Sequence, residues 1–248
     1  MIFDNYQFRC SALGKIVSKS GKLTDQNKTY LNDLFVGEIY KIQKEIISKY
    51  FEKGIICEQD GRDFLQKIFY KDRFVAKNRE RFRNEFIHGE PDVIMEDYVY
   101  DIKNAYDLFT FGKAHLTWEY EWQIKGYLYL LNREKGRLFY ILADMPDTLL
   151  ADEEMKLFWQ GKFTSNDSVE YQEALEELRK KFSYSHIPME CRFKVFDVEL
   201  FETCILTIQN SVNEARKYLN KLAKDYYDMI EKNKNYLDAR TNINTIRS

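Results

Sequence analysis

The sequence predicts an α/β fold: a central mixed β-sheet flanked by helices, with a helical C-terminal extension. Three observations carry this. Apolar residues recur at helical spacing from about residue 24 to 69. Short alternating or continuously apolar runs, as strands show, fill 74–143 around a single helical segment. From about 151 the pattern is helical again, apart from one alternating run.

Taken in order, residues 5–20 are short and mixed, and Arg9, Lys15, Lys19 and Lys22 follow one another with no acid between them. Charge alone reads this equally as a solvated N-terminal arm or as a functional basic segment. Thr24 or Asp25 is placed to cap a helix running to about Phe51, with Leu31, Leu34, Phe35, Ile39, Ile42, Ile46 and Tyr50 at helical spacing and Gly54 as its stop. A second helix is expected from Glu58 to Phe69, with Phe64, Leu65 and Ile68 on one side. Glu58 falls in its first turn, where the helix dipole by itself favours a carboxylate, and Glu38 reads as a solvated face residue.

Strands are expected at 74–76, 81–87, from Asp92 to Met95, and from Tyr98 to Lys103 after a turn at Glu96-Asp97. Residues 104–117 are irregular and aromatic, a helix runs from Trp118 to about Asn132, and 138–143 is a buried strand closed by Asp144-Met145-Pro146. Helices follow at about 151–160 and 168–182, then a strand over 191–198. A long helix from about Glu199 to Lys232 carries Phe201, Ile205, Ile208, Val212, Ala215, Leu219, Leu222, Tyr226 and Met229 as a core-facing stripe. The polar tail after Asn233 is expected to fray.

At 248 residues and 44% hydrophobic the chain can bury a full core. The division expected is 1–148 as a core with N-terminal helices, and 149–248 as a mostly helical extension with one added strand packed on it. Net charge is −2, so a nucleic-acid partner would need a local basic surface or metal ions that cancel acidic ligands. The four cysteines have no C-x-x-C spacing, which disfavours zinc or iron–sulfur ligation and suggests buried thiols in a reducing compartment. With no signal-peptide pattern and no apolar run of about 18 residues, a cytoplasmic protein is expected, in the host cytoplasm if the chain is viral.

The chemistry concentrates between His88 and Leu131. Asp101 and Lys103, two apart on a strand, point to one face, and Asp92 can converge on Asp101 across a hairpin. Two carboxylates on one spot repel unless a cation sits between them, and hard oxygen ligands suit Mg²⁺ or Mn²⁺. The Ile102 carbonyl can supply a further oxygen. Gln123 and Tyr127, at i and i+4, share a helix face. His88 reads as a strand-end residue more readily than as part of a nucleic-acid groove. Tyr106 to Phe111 is equally a base-stacking loop and a core segment.

Lys53-Gly54-x-x-x-Glu58, Gly89-Glu90-Pro91-Asp92, Asp101-Ile102-Lys103 with the aromatic segment after it, and Gln123-x-x-x-Tyr127 occur in the order of a known family. The chain resembles the PD-(D/E)XK nuclease superfamily, and within it phage-type exonucleases similar to lambda exonuclease and the YqaJ-like viral recombinase nucleases. The resemblance spans about Arg9 to Pro146. It implies a restriction-endonuclease-like core and a metal-dependent DNA exonuclease that makes single-stranded tails at duplex ends for recombination. It implies catalytic roles for Glu58, Asp92, Asp101 and Lys103, with Glu58, Asp92, Asp101 and the Ile102 carbonyl on Mg²⁺ or Mn²⁺. Gln123, Tyr127, Arg9 and Ser11 would contact substrate, and the resemblance sets aside the purely structural reading of Glu58. It further implies a single-strand annealing protein as partner and permits an oligomer; no membrane role is expected. The alternatives are a junction-resolving or restriction-type endonuclease and a catalytically silent DNA-binding module.

Overall fold

The computed structural model describes residues 2–42 and 49–246. Among the described residues, seven strands form two small sheets. In the first, β1 (Phe8–Arg9) lies parallel to β3 (Ile87–Gly89), and β2 (Phe82–Arg83) lies antiparallel to β3 on its other side. In the second, the order is β4 (Val93–Ile94), β5 (Val99–Asn104), β6 (Lys135–Ile141), β7 (Phe193–Glu199), with only β5 and β6 parallel. The sheet is therefore mixed, as its sequence indicates, but the strands divide into two sheets.

Strand β5 organises the layers. Its sequence, VYDIKN, is buried on both faces, as a strand covered on two sides must be. Tyr100 and Ile102 face α3 (Glu58–Phe69) and pack in a cluster with Leu65, Tyr70 and Phe139. Val99 faces the other way, joining Leu138 and the Ile124 and Leu128 side chains of α5 (Trp118–Leu131). Helix α5 is the crossover joining the parallel pair β5 and β6. Thr117 caps its start by accepting from the Tyr120 amide, and Asn132 ends it in a left-handed conformation. Between β5 and α5, the short helix α4 (Leu108–Lys113) forms within the segment expected to be irregular, because Asp107 and Thr110 make a reciprocal capping box.

Several expectations are corrected. The first long helix ends early: α1 spans Asp25–Tyr40, Thr24 caps it, and Lys41 closes it in the left-handed region. Ile46 lies outside the described residues. Helix α2 (Lys49–Ile56) follows, and Gly54 lies inside it instead of stopping a helix. Residues 74–76 form no strand, and 84–86 form a turn between β2 and β3 in which the Asn84 carboxamide accepts from the Phe86 and Ile87 amides. The N-terminal segment is no solvated arm. Phe8, Cys10, Ala12, Leu13, Ile16 and Val17 are buried, three of them in the 3-10 helix Cys10–Lys15 that lies against α5. Of the cysteines, Cys10 and Cys57 are buried but Cys191 is exposed.

The C-terminal part supplies α6 (Asp147–Gln160), α7 (Val169–Phe182), β7, which pairs along the whole of β6, and α8 (Glu202–Ile246). Ile208, Val212, Ala215 and Leu219 of α8 are fully buried in the same cluster as Leu13 and Val99. The ends of the predicted stripe, Phe201 and Met229, are exposed, and the helix runs on through the tail expected to fray. None of the described helices is long and apolar enough to cross a membrane.

The 3-10 helix touches α5 backbone to backbone: a Cβ on Gly14 would lie 2.5 Å from the Glu119 Cα. A backbone atom cannot move aside, so Gly14→Ala should destabilise the fold by about 1–3 kcal/mol, as overpacking does. Gly54 sits within α2 with open space at its Cβ position, so Gly54→Ala should raise stability by up to about 1 kcal/mol through helix propensity. Urea denaturation of the two variants checks both signs; equal effects would contradict the packing.

Candidate active site

Asp101 is central. It is 1% exposed, and its neighbours account for that burial. The Gln123 carboxamide donates to its Oδ1 at 2.8 Å, and the Lys103 ammonium lies 2.8 Å from its Oδ2. That second contact is an ion pair at hydrogen-bond distance without hydrogen-bond alignment, leaving Oδ2 without a directional donor. The same Gln123 nitrogen donates to the Tyr127 hydroxyl at 2.8 Å, so the i, i+4 pair on α5 forms a relay ending on Asp101.

Asp92 precedes β4. Extending the β4–β5 register, where Val93 faces Tyr100, brings Asp92 opposite Asp101. Its Oδ2 accepts from the Ile102 amide at 2.6 Å. A residue's N–H and C=O leave an extended strand on the same side, so the Ile102 carbonyl also faces the Asp92 edge. Burial raises the Asp92 pKa, and the Asp101 charge raises it further; Lys103, the Ile102 hydrogen bond and, more weakly, Glu58 also act on it. Burial would lower the Lys103 pKa, but the Asp101 and Asp92 charges outweigh it, and the net direction is upward. The Lys103 ammonium also sits 5.2 Å from the Tyr120 ring centroid, an arrangement that favours the cation.

The structure thus brings together Asp92, Asp101, Ile102, Lys103, Gln123 and Tyr127. Glu58 is close enough to act electrostatically on Asp92, but it is not joined to the pair. Its carboxylate is held by Arg62 one turn on and by Lys77 at 2.7 Å. Among the described residues no set of three or more His, Cys, Asp or Glu side chains is gathered as a metal cage. A buried carboxylate paired with one lysine, a second, partly buried carboxylate opposite it, a carboxylate oxygen short of a directional partner and a carbonyl on the same edge nevertheless match the hard donor set of a divalent cation.

Glycine positions explain how the walls close. A Cβ on Gly61 would meet the Ile102 Cγ2 at 2.6 Å, so α3 lies directly on β5 and carries Glu58 to the strand's edge. The Asn104 carboxamide donates to the Cys57 carbonyl at 3.1 Å, fixing the start of α3. Lys53, fully buried, ties α2 to the ends of β5 and β6 by donating to the Tyr106 and Ala143 carbonyls at 3.0 and 2.7 Å. On the other side, a Cβ on Gly89 would strike both the Cys10 sulfur and the Tyr127 ring at 2.7 Å. The glycine opening Gly89-Glu90-Pro91-Asp92 is therefore where β3 passes against α5.

Arg9 and Ser11 are exposed. Arg9 is in register with His88 across β1 and β3. Arg83 is in register with His88 on the other side, and the His88 pKa is lowered by burial first and then by the charges of Arg81, Arg9 and Arg83. Sequence reasoning missed Tyr120, Lys77, Cys10 and these arginines. Tyr120 alone carried a signal, being three residues before Gln123 and thus on the same helix face.

No protein-family model matches the chain, and no curated protein sequence matches it. Solved structures do. A phage-related exonuclease from Haemophilus somnus 129PT superposes with a TM-score of 0.71 at 22% identity, covering 91% of this chain and 100% of that one. The fold is that of the phage-type exonucleases. An alkaline exonuclease from Laribacter hongkongensis, LHK-Exo, superposes with a TM-score of 0.60 at 12% identity over 91% of this chain and 94% of its own, and equally in its complex with dAMP. The resemblance read from the sequence motifs is thus matched at the level of the whole fold.

Burial lowers the Lys53 pKa to about 8, against the opposing pull of Cys57, Asp144 and other nearby groups. The unfolded chain holds that proton up to about pH 10.4. Between those values the unfolded state binds more protons, so this group adds stability as pH rises from about 8 toward 10. Urea titrations should show wild type gaining on Lys53→Met across that range; a flat difference would contradict the assignment.

Proposed function

We propose that the protein is a metal-dependent deoxyribonuclease, most specifically an exonuclease that hydrolyses DNA from duplex ends. The observation that carries this is the convergence of Asp92, Asp101, Lys103 and Gln123 on one edge of β5, within a fold shared with exonucleases. Asp92, Asp101 and the Ile102 carbonyl would hold Mg²⁺ or Mn²⁺, with Glu58 joining only if it left Arg62 and Lys77. The bound cation would supply Lewis acidity toward a phosphodiester and its attacking water.

The remaining work falls to the chain itself. The Lys103 ammonium, kept charged by the two aspartates, orients a water or a phosphate oxygen beside them. Gln123 fixes the rotamer of Asp101 and spends its second contact on Tyr127, so the carboxylate cannot swing away when charge builds on the phosphate. Arg9, Ser11 and the arginines around His88 offer a basic surface for the strand end. Production of single-stranded tails for recombination, with a single-strand annealing protein as partner, is the biological setting that this reading implies. An oligomer is compatible with it.

Linear and closed circular duplex DNA incubated with Mg²⁺, Mn²⁺ or chelator tests the reading. Linear DNA alone should disappear, only with metal, and Lys103→Ala should slow the loss by a factor on the order of 10² or more. Cutting of closed circles would replace the exonuclease with an endonuclease. Absence of any metal-dependent loss would remove the nuclease reading.

A further inference from the structure

Beyond Lys103 the chain passes the buried Tyr106 and turns into α4, whose first two residues face outward: Leu108 is 45% and Phe109 is 69% exposed. Opposite them lies the end of α7 and the segment after it. Leu108, Phe109, Lys180, Lys181, Tyr184 and His186 line a cavity of about 150 Å³. Tyr184 is 2% exposed, yet among the described residues its hydroxyl has no hydrogen-bond partner of good geometry, although it lies near the Leu108 amide.

The wall chemistry narrows that ligand. Lys180 is paired with Glu176 at 2.9 Å, but Lys181 makes no ion pair among the described residues and is exposed. The acid in the wall, Asp107, is occupied in capping α4, accepting from the Thr110 amide at 2.7 Å. An exposed aromatic rim and a lysine without an ion pair among the described residues suit a group with a flat apolar face and an anion attached, which describes a nucleotide unit. Base pairs in a duplex hide those faces in their own stack, so a lone phenylalanine is served by an unpaired base.

We propose that this cavity is a single-strand DNA platform. One base stacks on Phe109, and a neighbouring phosphate meets Lys181. The identity of the strand as DNA rests on the nuclease reading above. The location fits that reading: Phe109 follows Lys103 by six residues, so their Cα atoms are at most about 20 Å apart. Even at the duplex rise of roughly 3.4 Å per nucleotide, a strand spans that in about six nucleotides.

Anisotropy of a fluorescein-labelled oligothymidylate in chelator, where cleavage cannot proceed, tests the platform. Wild type should bind. Phe109→Ala should weaken binding about tenfold, within the range for one lost base stack, and Phe109→Trp should restore it. Lys181→Ala should weaken binding and flatten its salt dependence. No binding by wild type, or equal binding by a folded Phe109→Ala, would overturn the proposal. Hydrolysis of thymidine 5′-p-nitrophenyl phosphate by wild type decides the nuclease reading separately, since that substrate carries no strand to reach the platform.

Discussion

The structure depends on one electrostatic constraint: two carboxylates, the buried Asp101 of β5 and the partly buried Asp92 opposite it, face each other with a single lysine on Asp101. Burying a charge without adequate compensation is expensive, and the cost falls here on Asp92, whose carboxyl is pushed toward its protonated form. A fold maintains such a cluster only if the surrounding packing fixes it. Strand β5 is covered on both faces and paired on both edges, so Asp101 cannot relax toward solvent.

Much of the architecture serves that confinement. Helix α5 crosses over from β5 to β6 and brings Gln123 down onto Asp101. Its position is set in turn by the 3-10 helix, whose Leu13 and Cys10 press on Gly126 and whose Gly14 accepts the α5 backbone. Helix α3 closes the opposite face through Gly61 on Ile102. The C-terminal residues complete the body: β7 pairs along β6, and the fully buried part of α8 lies in the same core as the N-terminal segment.

The chemistry-bearing residues were legible because they obey short-range rules. Asp101 and Lys103 share a face by strand alternation, and Gln123 and Tyr127 by helical spacing. Asp92 follows a glycine that leaves room for the Tyr127 ring. Elements set by long-range packing were not legible. Charge alone left the basic N-terminal segment undecided, because its charges are exposed while Phe8, Leu13 and Ile16 between them are covered by α5 and its neighbours. Gly54 looked like a stop, yet Lys53 beside it is anchored by two backbone carbonyls far along the chain, which continues the helix through the glycine. Glu58 shows the limit of motif reasoning. Its position at the head of α3 was foreseen, whereas its capture by Lys77 from another segment was not.

On the function proposed above, the Asp92–Asp101 pair shares a divalent cation. Titration of Mn²⁺ into the protein, followed by the loss of its free electron-spin-resonance signal, measures this without reference to any DNA substrate. Wild type should take up Mn²⁺, and Asp101→Asn should lose that uptake while remaining folded by circular dichroism. Equal Mn²⁺ binding by wild type and a folded Asp101→Asn would contradict the account.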